Sequence, residues 1–132
     1  MNQREKGVFA MTFTQHSYEQ IQKKLDIIWL QCGGLVQGRV EVFRRAALAM
    51  DRGRFNAAVE HQCLEESHAL LGELGTFGFS EASRITLTID QLLKDTQRRS
   101  RHDAAVFLGL ISLLAAELDR ITPGSSANTL MQ

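Results

Sequence analysis

The sequence predicts an all-α fold, an antiparallel four-helix bundle with a long first helix. The 132 residues contain a single proline, Pro123, and proline is the strongest breaker of helices. Apolar residues recur at spacings of three and four along most of the chain, which is typical of amphipathic helices. Short polar or glycine-containing segments divide this pattern into four helices, and the connections after the second helix are short, as in an up-and-down bundle.

The first helix is predicted to begin at Ser17, which forms a capping box with Gln20. Residues 1–16 are predicted to be a flexible N-terminal segment. The apolar face that follows keeps one phase through Ile21, Leu25, Ile28, Cys32, Leu35, Arg39, Phe43, Ala46 and Met50. Because this phase survives Gly33 and Gly34, we predict one long helix with at most a kink there.

The second and third helices are separated by the segment GTFGF. The turn sequence DRGRFN, residues 51–56, precedes a second helix that is predicted from about Phe55 to Gly75. Ser80 is the predicted N-cap of the third helix, which runs to about Asp95.

The fourth helix is predicted to begin at a capping arrangement of Ser100 with Asp103 and to stop before Pro123. The bundle therefore spans residues 17–122, and residues 123–132 are predicted to be a flexible tail.

Composition excludes several functional classes. The 15 basic and 15 acidic residues give no net charge, so no nucleic-acid or membrane partner is expected. No segment has the roughly 20 apolar residues of a membrane span, and no secretory leader is apparent. Cys32 and Cys63 have the spacing of buried core residues rather than of a disulfide framework. We therefore expect a cytoplasmic protein.

His68 lies on the second helix away from its apolar face. At about 100° per residue, Val59, Cys63, Leu70 and Leu74 form a stripe some 120° from the histidine. Two glycines, Gly72 and Gly75, fall on the same side as His68. They either clear a surface beside the imidazole, or allow close packing of another helix, or begin the C-cap of the second helix.

The stretch from His68 to Gly72, HALLG, followed by Phe77-Gly78, resembles the signature of histidine-containing phosphotransfer (Hpt) domains. That signature is H-x-L-K-G with a second glycine six residues after the first. The resemblance implies a four-helix bundle whose His68 carries a phosphoryl group to and from the aspartate of a receiver domain, in a relay that begins at a histidine kinase. An unprotonated imidazole nitrogen is a suitable nucleophile for this role.

The resemblance also implies what surrounds the histidine. Members of the family have an acidic or amide residue 22 positions after the histidine, and here that residue is Asp90, which would orient the imidazole. The alternative is an exposed aspartate without a partner. The family's usual lysine is absent, because Leu71 stands at its position. Arg84 on the third helix is a candidate replacement cation, although no spacing rule places it near His68.

The resemblance implies a docking surface for the receiver and no cofactor of the chain's own. Gly72, Gly75 and Gly78 would shape that surface, and Leu64 and Leu71 would form its apolar rim or be partly buried instead. The receiver would supply the Mg²⁺. The chain lacks a P-loop, so it is expected to be a phosphotransfer intermediary without a kinase activity.

Two other interpretations account for parts of the sequence. Glu65-x-x-His68 matches half of the motif of di-iron bundles, but no second copy exists, so no metal site is predicted, even with His61 one heptad away. The second interpretation is a non-catalytic helical adaptor or dimerisation module, in which the Hpt-like motif is degenerate and Leu71 belongs to an apolar contact surface.

Overall fold

The computed structural model describes the backbone of residues 3–95 and 100–123 and the side chains from residue 15 onward within these ranges. It contains four helices, α1 (Gln3–Asp51), α2 (Ala57–Phe77), α3 (Ser80–Lys94) and α4 (Arg101–Ile121). No strand occurs in the described part of the chain. Each helix packs against its neighbours in chain order, and α4 closes the bundle against α1. The predicted all-α four-helix bundle is confirmed.

The helix directions alternate around the bundle. Trp29 near the middle of α1 contacts Thr122 just after α4, and Phe43 further along α1 lies against Phe107 near the start of α4. The two helices are therefore antiparallel. Arg39 of α1 reaches Glu73 near the end of α2, and the two-residue connection Gly78-Phe79 turns α3 back along α2.

Local hydrogen bonds explain where α2 and α4 begin. Asn56 caps α2 by accepting a hydrogen bond from the backbone N–H of Val59 at 3.0 Å, so this helix begins at Ala57 rather than at Phe55. The predicted capping box of Ser100 and Asp103 is present at the start of α4. Each cap satisfies backbone donors that the first turn of a helix leaves unpaired.

The connection between α2 and α3 differs from its prediction. Helix α2 continues to Phe77 instead of ending at Gly75, and Gly78 ends it in the left-handed conformation at φ 73°. The N–H of Phe79 donates to the carbonyl of Leu74 at 3.0 Å, which completes a Schellman motif. Ser80 is the first residue of α3 and not its N-cap, because Phe79 occupies that position without a side-chain cap.

Helix α1 begins at Gln3, so the prediction that it starts at Ser17 is wrong. No proline lies in this part of the sequence, and an uninterrupted chain of this kind extends a helix once it has formed. Gln20 does not cap the helix, since its side chain contacts that of His16 one turn earlier. The helix runs through Gly33 and Gly34 without a break, as predicted. The predicted tail lies outside the described residues, except for Pro123.

The predicted apolar face of α1 is only partly buried. Its C-terminal members, Phe43, Ala46 and Met50, lie in the core, but Ile21, Ile28 and Leu35 are exposed. The residues of α1 that enter the core further up the helix are instead Trp29, Val36 and Val40. The reason is length, because α1 has 49 residues and α2, α3 and α4 have 21, 15 and 21. At about 1.5 Å per residue the shorter helices cover only the C-terminal part of α1.

An aromatic cluster closes the bundle at the level where α1 projects beyond it. The ring of Trp29 meets Phe77 and Phe79 edge to face, at centroid distances of 5.2 and 4.9 Å. Its indole N–H donates to Thr122 Oγ1 at 3.2 Å. We call Trp29, Phe77, Phe79 and Thr122 the aromatic joint, because they connect α1 to the α2–α3 connection and to the end of α4.

None of the helices in the described part of the chain combines the length and the apolar character that crossing a bilayer requires.

Candidate functional site

The direction of His68 follows from the buried face of α2. Cys63, Leu70 and Leu74 on this helix are fully buried, whereas the side chain of His68 is 58% exposed. The prediction that the histidine lies away from the core is therefore confirmed. Burial raises the pKa of Cys63 to about 12, so its thiol stays protonated and His68 is the better nucleophile of the two.

Ion pairs to α1 fix the rotation of α2 about its own axis. The guanidinium of Arg39 donates to Glu66 Oε2 at 2.6 Å and, through Nε, to Glu73 Oε1 at 2.9 Å. The hydrogen bond to Glu73, together with that to Glu66, raises the pKa of Arg39 despite the cost of its partial burial. Both carboxylates lie on the α1-facing side of α2, which turns His68 toward solvent.

Asp90 of α3 lies directly beneath the imidazole. Its Oδ1 is 3.2 Å from His68 Nε2, and its side chain is only 4% exposed. The alternative of an exposed aspartate without a partner is thus excluded. An ionised carboxylate only accepts hydrogen bonds, so a hydrogen on Nε2 is stabilised there. That tautomer leaves the lone pair of Nδ1 available as a nucleophile.

Ser67 and Lys94 complete the surroundings of Asp90, and the sequence analysis missed both. The buried Ser67 donates its hydroxyl hydrogen to Asp90 Oδ1 at 2.6 Å, since the charged carboxylate is a stronger acceptor than the Leu64 carbonyl at 3.0 Å. Lys94 Nζ lies 2.8 Å from Asp90 Oδ2. The spacing of four residues between Asp90 and Lys94 was the available signal, because such pairs are neighbours on a helix.

These neighbours decide the charge of Asp90. Burial of the carboxyl group opposes its ionisation, but the hydrogen bonds from Lys94 and Ser67 and the charges of Lys94 and His68 outweigh that effect. The pKa of Asp90 is consequently below its usual value. The group at the base of the site is a carboxylate at neutral pH.

The three predicted glycines have two different roles. Gly72 and Gly75 are exposed on α2, and a Cβ at either position would meet no atom within 4 Å. Close packing of another helix therefore does not require them, and they leave open surface next to His68. Gly78 instead ends the helix, with a φ of 73° that side-chain-bearing residues rarely adopt.

The two leucines predicted to form an apolar rim or to be partly buried lie on α2 near His68. Leu64 and Leu71 are both half-buried, and Leu64 packs against the core, which matches the second of the two expectations. Arg84 does not serve as a local cation, because its guanidinium pairs with Glu81 at 2.6 Å. The cation at the site is Lys94.

Metal ligands are not assembled around His68. Across the described residues, no three His, Cys, Asp or Glu side chains lie close enough together to hold a metal ion. Glu65, the other residue of the half-motif, lies one turn before His68 on α2. Its carboxylate is 3.0 Å from His61. The described site therefore consists of one imidazole, one carboxylate, one hydroxyl and one ammonium group.

Comparisons with protein-family models, with curated proteins and with solved structures returned no match to this chain.

Proposed function

We propose that this chain is a histidine phosphocarrier of a multistep His–Asp phosphorelay in the cytoplasm. His68 would accept a phosphoryl group from the aspartate of a receiver domain and return it to another. The observation that carries the proposal is the exposed imidazole of His68 with its Nε2 atom facing the buried carboxylate of Asp90. This arrangement holds a proton on Nε2 and leaves a free lone pair on the other ring nitrogen of a side chain that is 58% exposed.

The transfer balances with the groups that are present. The lone pair of Nδ1 forms the N–P bond while the bond between phosphorus and the receiver's carboxylate oxygen breaks, which leaves that carboxylate free. The ring keeps its proton on Nε2 and gains positive charge, which Asp90 stabilises. Reverse transfer returns the neutral imidazole, so no proton has to leave or enter the site.

The charges around His68 also suit an incoming anion. A carboxylate alone next to the imidazole would repel a phosphoryl group, but Lys94 lies against Asp90 and offsets its charge. Phosphoryl transfer depends mainly on position and on neutralising charge. Lys94 would therefore supply at this site the positive charge that the family's usual lysine provides, where this chain has Leu71.

The surface next to His68 leaves room for a protein partner. The open helix surface at Gly72 and Gly75 admits another backbone near the imidazole, and half-buried Leu64 and Leu71 offer a small apolar contact. The receiver would supply the acyl phosphate and the Mg²⁺ that balances its charge. A histidine kinase would act on this chain through such a receiver or directly.

The proposal is tested by incubating the chain with phosphorylated receiver domains from its own organism. Phosphate should move onto the chain in a form that is stable in base and labile in acid, as expected of a phosphoramidate. His68→Gln should abolish the transfer. His61→Gln is the matched control, since His61 lies on the same helix, is also exposed and contacts a carboxylate, and it should transfer at the rate of the unmodified chain.

Two results would contradict the proposal. One is phosphate uptake that persists in His68→Gln, which would move the acceptor elsewhere. The other is the absence of uptake from every receiver of the organism by a chain whose circular dichroism shows a folded bundle.

A further inference from the structure

One oxygen atom of the site accepts from two donors at unequal distances. Asp90 Oδ1 is 2.6 Å from the hydroxyl oxygen of Ser67 and 3.2 Å from Nε2 of His68. The first distance is that of a strong hydrogen bond between a hydroxyl and a carboxylate, and the second is at the long end of the range for N–H donors. Ser67 therefore takes the larger share of this oxygen, and the imidazole takes the smaller one.

The hydroxyl of Ser67 is committed to this contact. Ser67 and Asp90 are both buried, so water does not compete for the hydrogen bond between them. Alanine would suit the helix at least as well as serine. The hydroxyl of Ser67 is consequently explained by its effect on Asp90 and not by helix formation.

We propose that Ser67 is a positioning residue that sets how tightly His68 holds its phosphoryl group, by limiting how strongly Asp90 binds the imidazole. This inference rests on the proposed phosphotransfer. A carboxylate that already accepts hydrogen bonds is a weaker base than a free one. The bond from Ser67 thus leaves Asp90 able to orient the ring but less able to stabilise positive charge on it.

The strength of the contact between Asp90 and the ring matters most when His68 is phosphorylated. Nδ1 then carries the phosphoryl group, Nε2 keeps its proton, and Asp90 stabilises the resulting cation. In the return step a carboxylate oxygen of the receiver forms a bond to phosphorus, the N–P bond breaks, and its electron pair returns to Nδ1. A tighter contact with Asp90 favours the phosphorylated chain, and a looser one favours return. Ser67 therefore keeps the phosphoryl group transferable.

Lys94 does not duplicate the role of Ser67. Its Nζ lies 2.8 Å from Oδ2, the other oxygen of Asp90, and its side chain is 55% exposed. Lys94 still holds the carboxylate when the hydroxyl of Ser67 is removed, so the imidazole keeps its partner. The strength of the contact at Oδ1 can thus be changed without losing it.

The experiment measures how phosphate distributes at equilibrium between the chain and a receiver domain that exchanges it. Ser67→Ala should shift the distribution toward phosphorylated His68 by about fivefold, as expected from part of one hydrogen bond to a charged group. Ser67→Cys, which keeps a weaker donor, should shift it in the same direction by less. Damage to the fold would lower phosphate uptake instead, and emission from Trp29 reports whether each variant is folded.

The matched control is Thr86→Val. Thr86 is equally buried and lies one turn before Asp90 on α3, but its hydroxyl donates to the Ala82 carbonyl at 2.8 Å. This variant should not shift the distribution. In an Asp90→Asn background, Ser67→Ala should also produce no further shift, because the charge through which Ser67 acts is gone.

Nitrogen-15 NMR of the unphosphorylated chain gives a readout that does not depend on transfer. Ser67→Ala should move the Nε2 resonance of His68 as expected of a stronger hydrogen bond, whereas Thr86→Val should not. The inference is overturned if that resonance is unchanged, if the distribution stays constant or moves toward the receiver, or if Ser67→Ala acts equally in the Asp90→Asn background. In those cases phosphate still exchanges and the proposed function stands. If no receiver exchanges phosphate with the chain, both fail together.

Discussion

At the scale of single residues, the site depends on how one buried carboxylate is shared. Asp90 Oδ1 faces both Ser67 and His68, and Oδ2 faces Lys94. Ser67 fixes the carboxylate from the buried side, so the ring of His68 meets an acceptor of set position. Lys94, which is half-exposed, pairs with the other oxygen and offsets the charge of the carboxylate. Ser67 therefore sets the position of the Asp90 carboxylate, and Lys94 neutralises part of its charge.

Removing the positive charge of Lys94 should slow phosphotransfer. We expect Lys94→Met to lower the rate from a phosphorylated receiver about fivefold, as expected from losing a partly exposed charge contact of about 1 kcal/mol. Leu71→Lys should restore the rate in the Lys94→Met background, because it places an ammonium group one turn after His68. Rapid-quench measurement of phosphohistidine gives both rates.

Lys23→Met is the control for this prediction, since Lys23 lies on the projecting part of α1 and should have no effect. Transfer by Lys94→Met at the unmodified rate would show that the cation is supplied entirely by the partner. Leu71→Lys also separates the two interpretations of the motif. In an adaptor it should weaken partner binding, whereas in a phosphocarrier it should preserve or increase transfer.

At the scale of the helix, α2 combines a rigid buried face with a weakened exposed one. The buried side is fixed by the core and by the pairing of Arg39 with Glu66 and Glu73. The exposed side carries Gly72 and Gly75, each of which lowers helix stability by up to about 1 kcal/mol relative to alanine. Nothing in the described fold requires them. Their effect is to leave backbone accessible beside His68.

Gly72→Ala/Gly75→Ala should therefore stabilise the protein and impair its proposed activity. We expect the free energy of unfolding to rise by about 1–2 kcal/mol, because both Cβ atoms enter open space on a helix. The rate of phosphotransfer should fall, since the methyl groups occupy the surface that the receiver would approach. Urea denaturation and phosphohistidine formation measure the two effects on the same sample.

Gly38→Ala is the matched control, because Gly38 is an exposed glycine of α1 that also has open space at its Cβ. It should stabilise the protein without changing transfer. If the double variant were equally stabilised and transferred phosphate at the unmodified rate, the two glycines would not belong to the docking surface.

The elements also show what could be predicted from sequence. The cap at Ser100 could be predicted, because its hydrogen bonds join residues that are close in the sequence. The exposure of His68 could be predicted from helical periodicity alone. The start of α1 was missed, because Ser17 and Gln20 match a cap pattern inside a helix that nothing interrupts. The N-cap of α3 was also predicted wrongly. Phe79 occupies it and has no side chain that could accept a hydrogen bond, so the sequence gives no sign of the cap. The left-handed Gly78 ends α2 so close to α3 that Ser80 is already helical.

At the scale of the whole molecule, the packing of the four helices together explains the remaining errors of the sequence-based prediction. The apolar pattern predicted one continuous buried face on α1 from Ile21 to Met50. The sequence does not reveal that the other three helices are too short to cover the whole length of that face. Among the described side chains of α1, burial therefore begins at Trp29 and continues at Val36 and Val40, while Leu35 of the predicted face is exposed. Lys94 was missed for a related reason, since its role depends on a carboxylate that becomes buried only when α2 and α3 pack together.

The stability of the whole bundle should depend on Asp90 in a pH-dependent way. Because the folded-state pKa of Asp90 is lowered, its charge stabilises the fold above the unfolded pKa of about 3.9. That contribution is lost as the pH falls through the lower folded-state pKa. Asp90→Asn should thus be less stable than the unmodified chain at neutral pH, and the difference should shrink below about pH 4.

Denaturation curves of the two chains at a series of pH values measure this difference. Glu19→Gln, on the projecting part of α1, is the control and should change stability little at any pH. A difference between Asp90→Asn and the unmodified chain that stayed constant down to the acid limit would mean that the ionisation of Asp90 does not contribute to folding.

The aromatic joint gives the protein a built-in optical reporter. Trp29 is the only tryptophan of the sequence and Tyr18 its only tyrosine, and both lie on α1, Trp29 in the aromatic joint and Tyr18 on the part of the helix that projects beyond it. Tryptophan emission therefore reports on the closed end of the bundle alone, and energy transferred to it from Tyr18, about 16 Å away along the helix, reports whether the helix between them is intact. Unfolding of the bundle and loss of the projecting helix can thus be followed separately in the unlabelled protein.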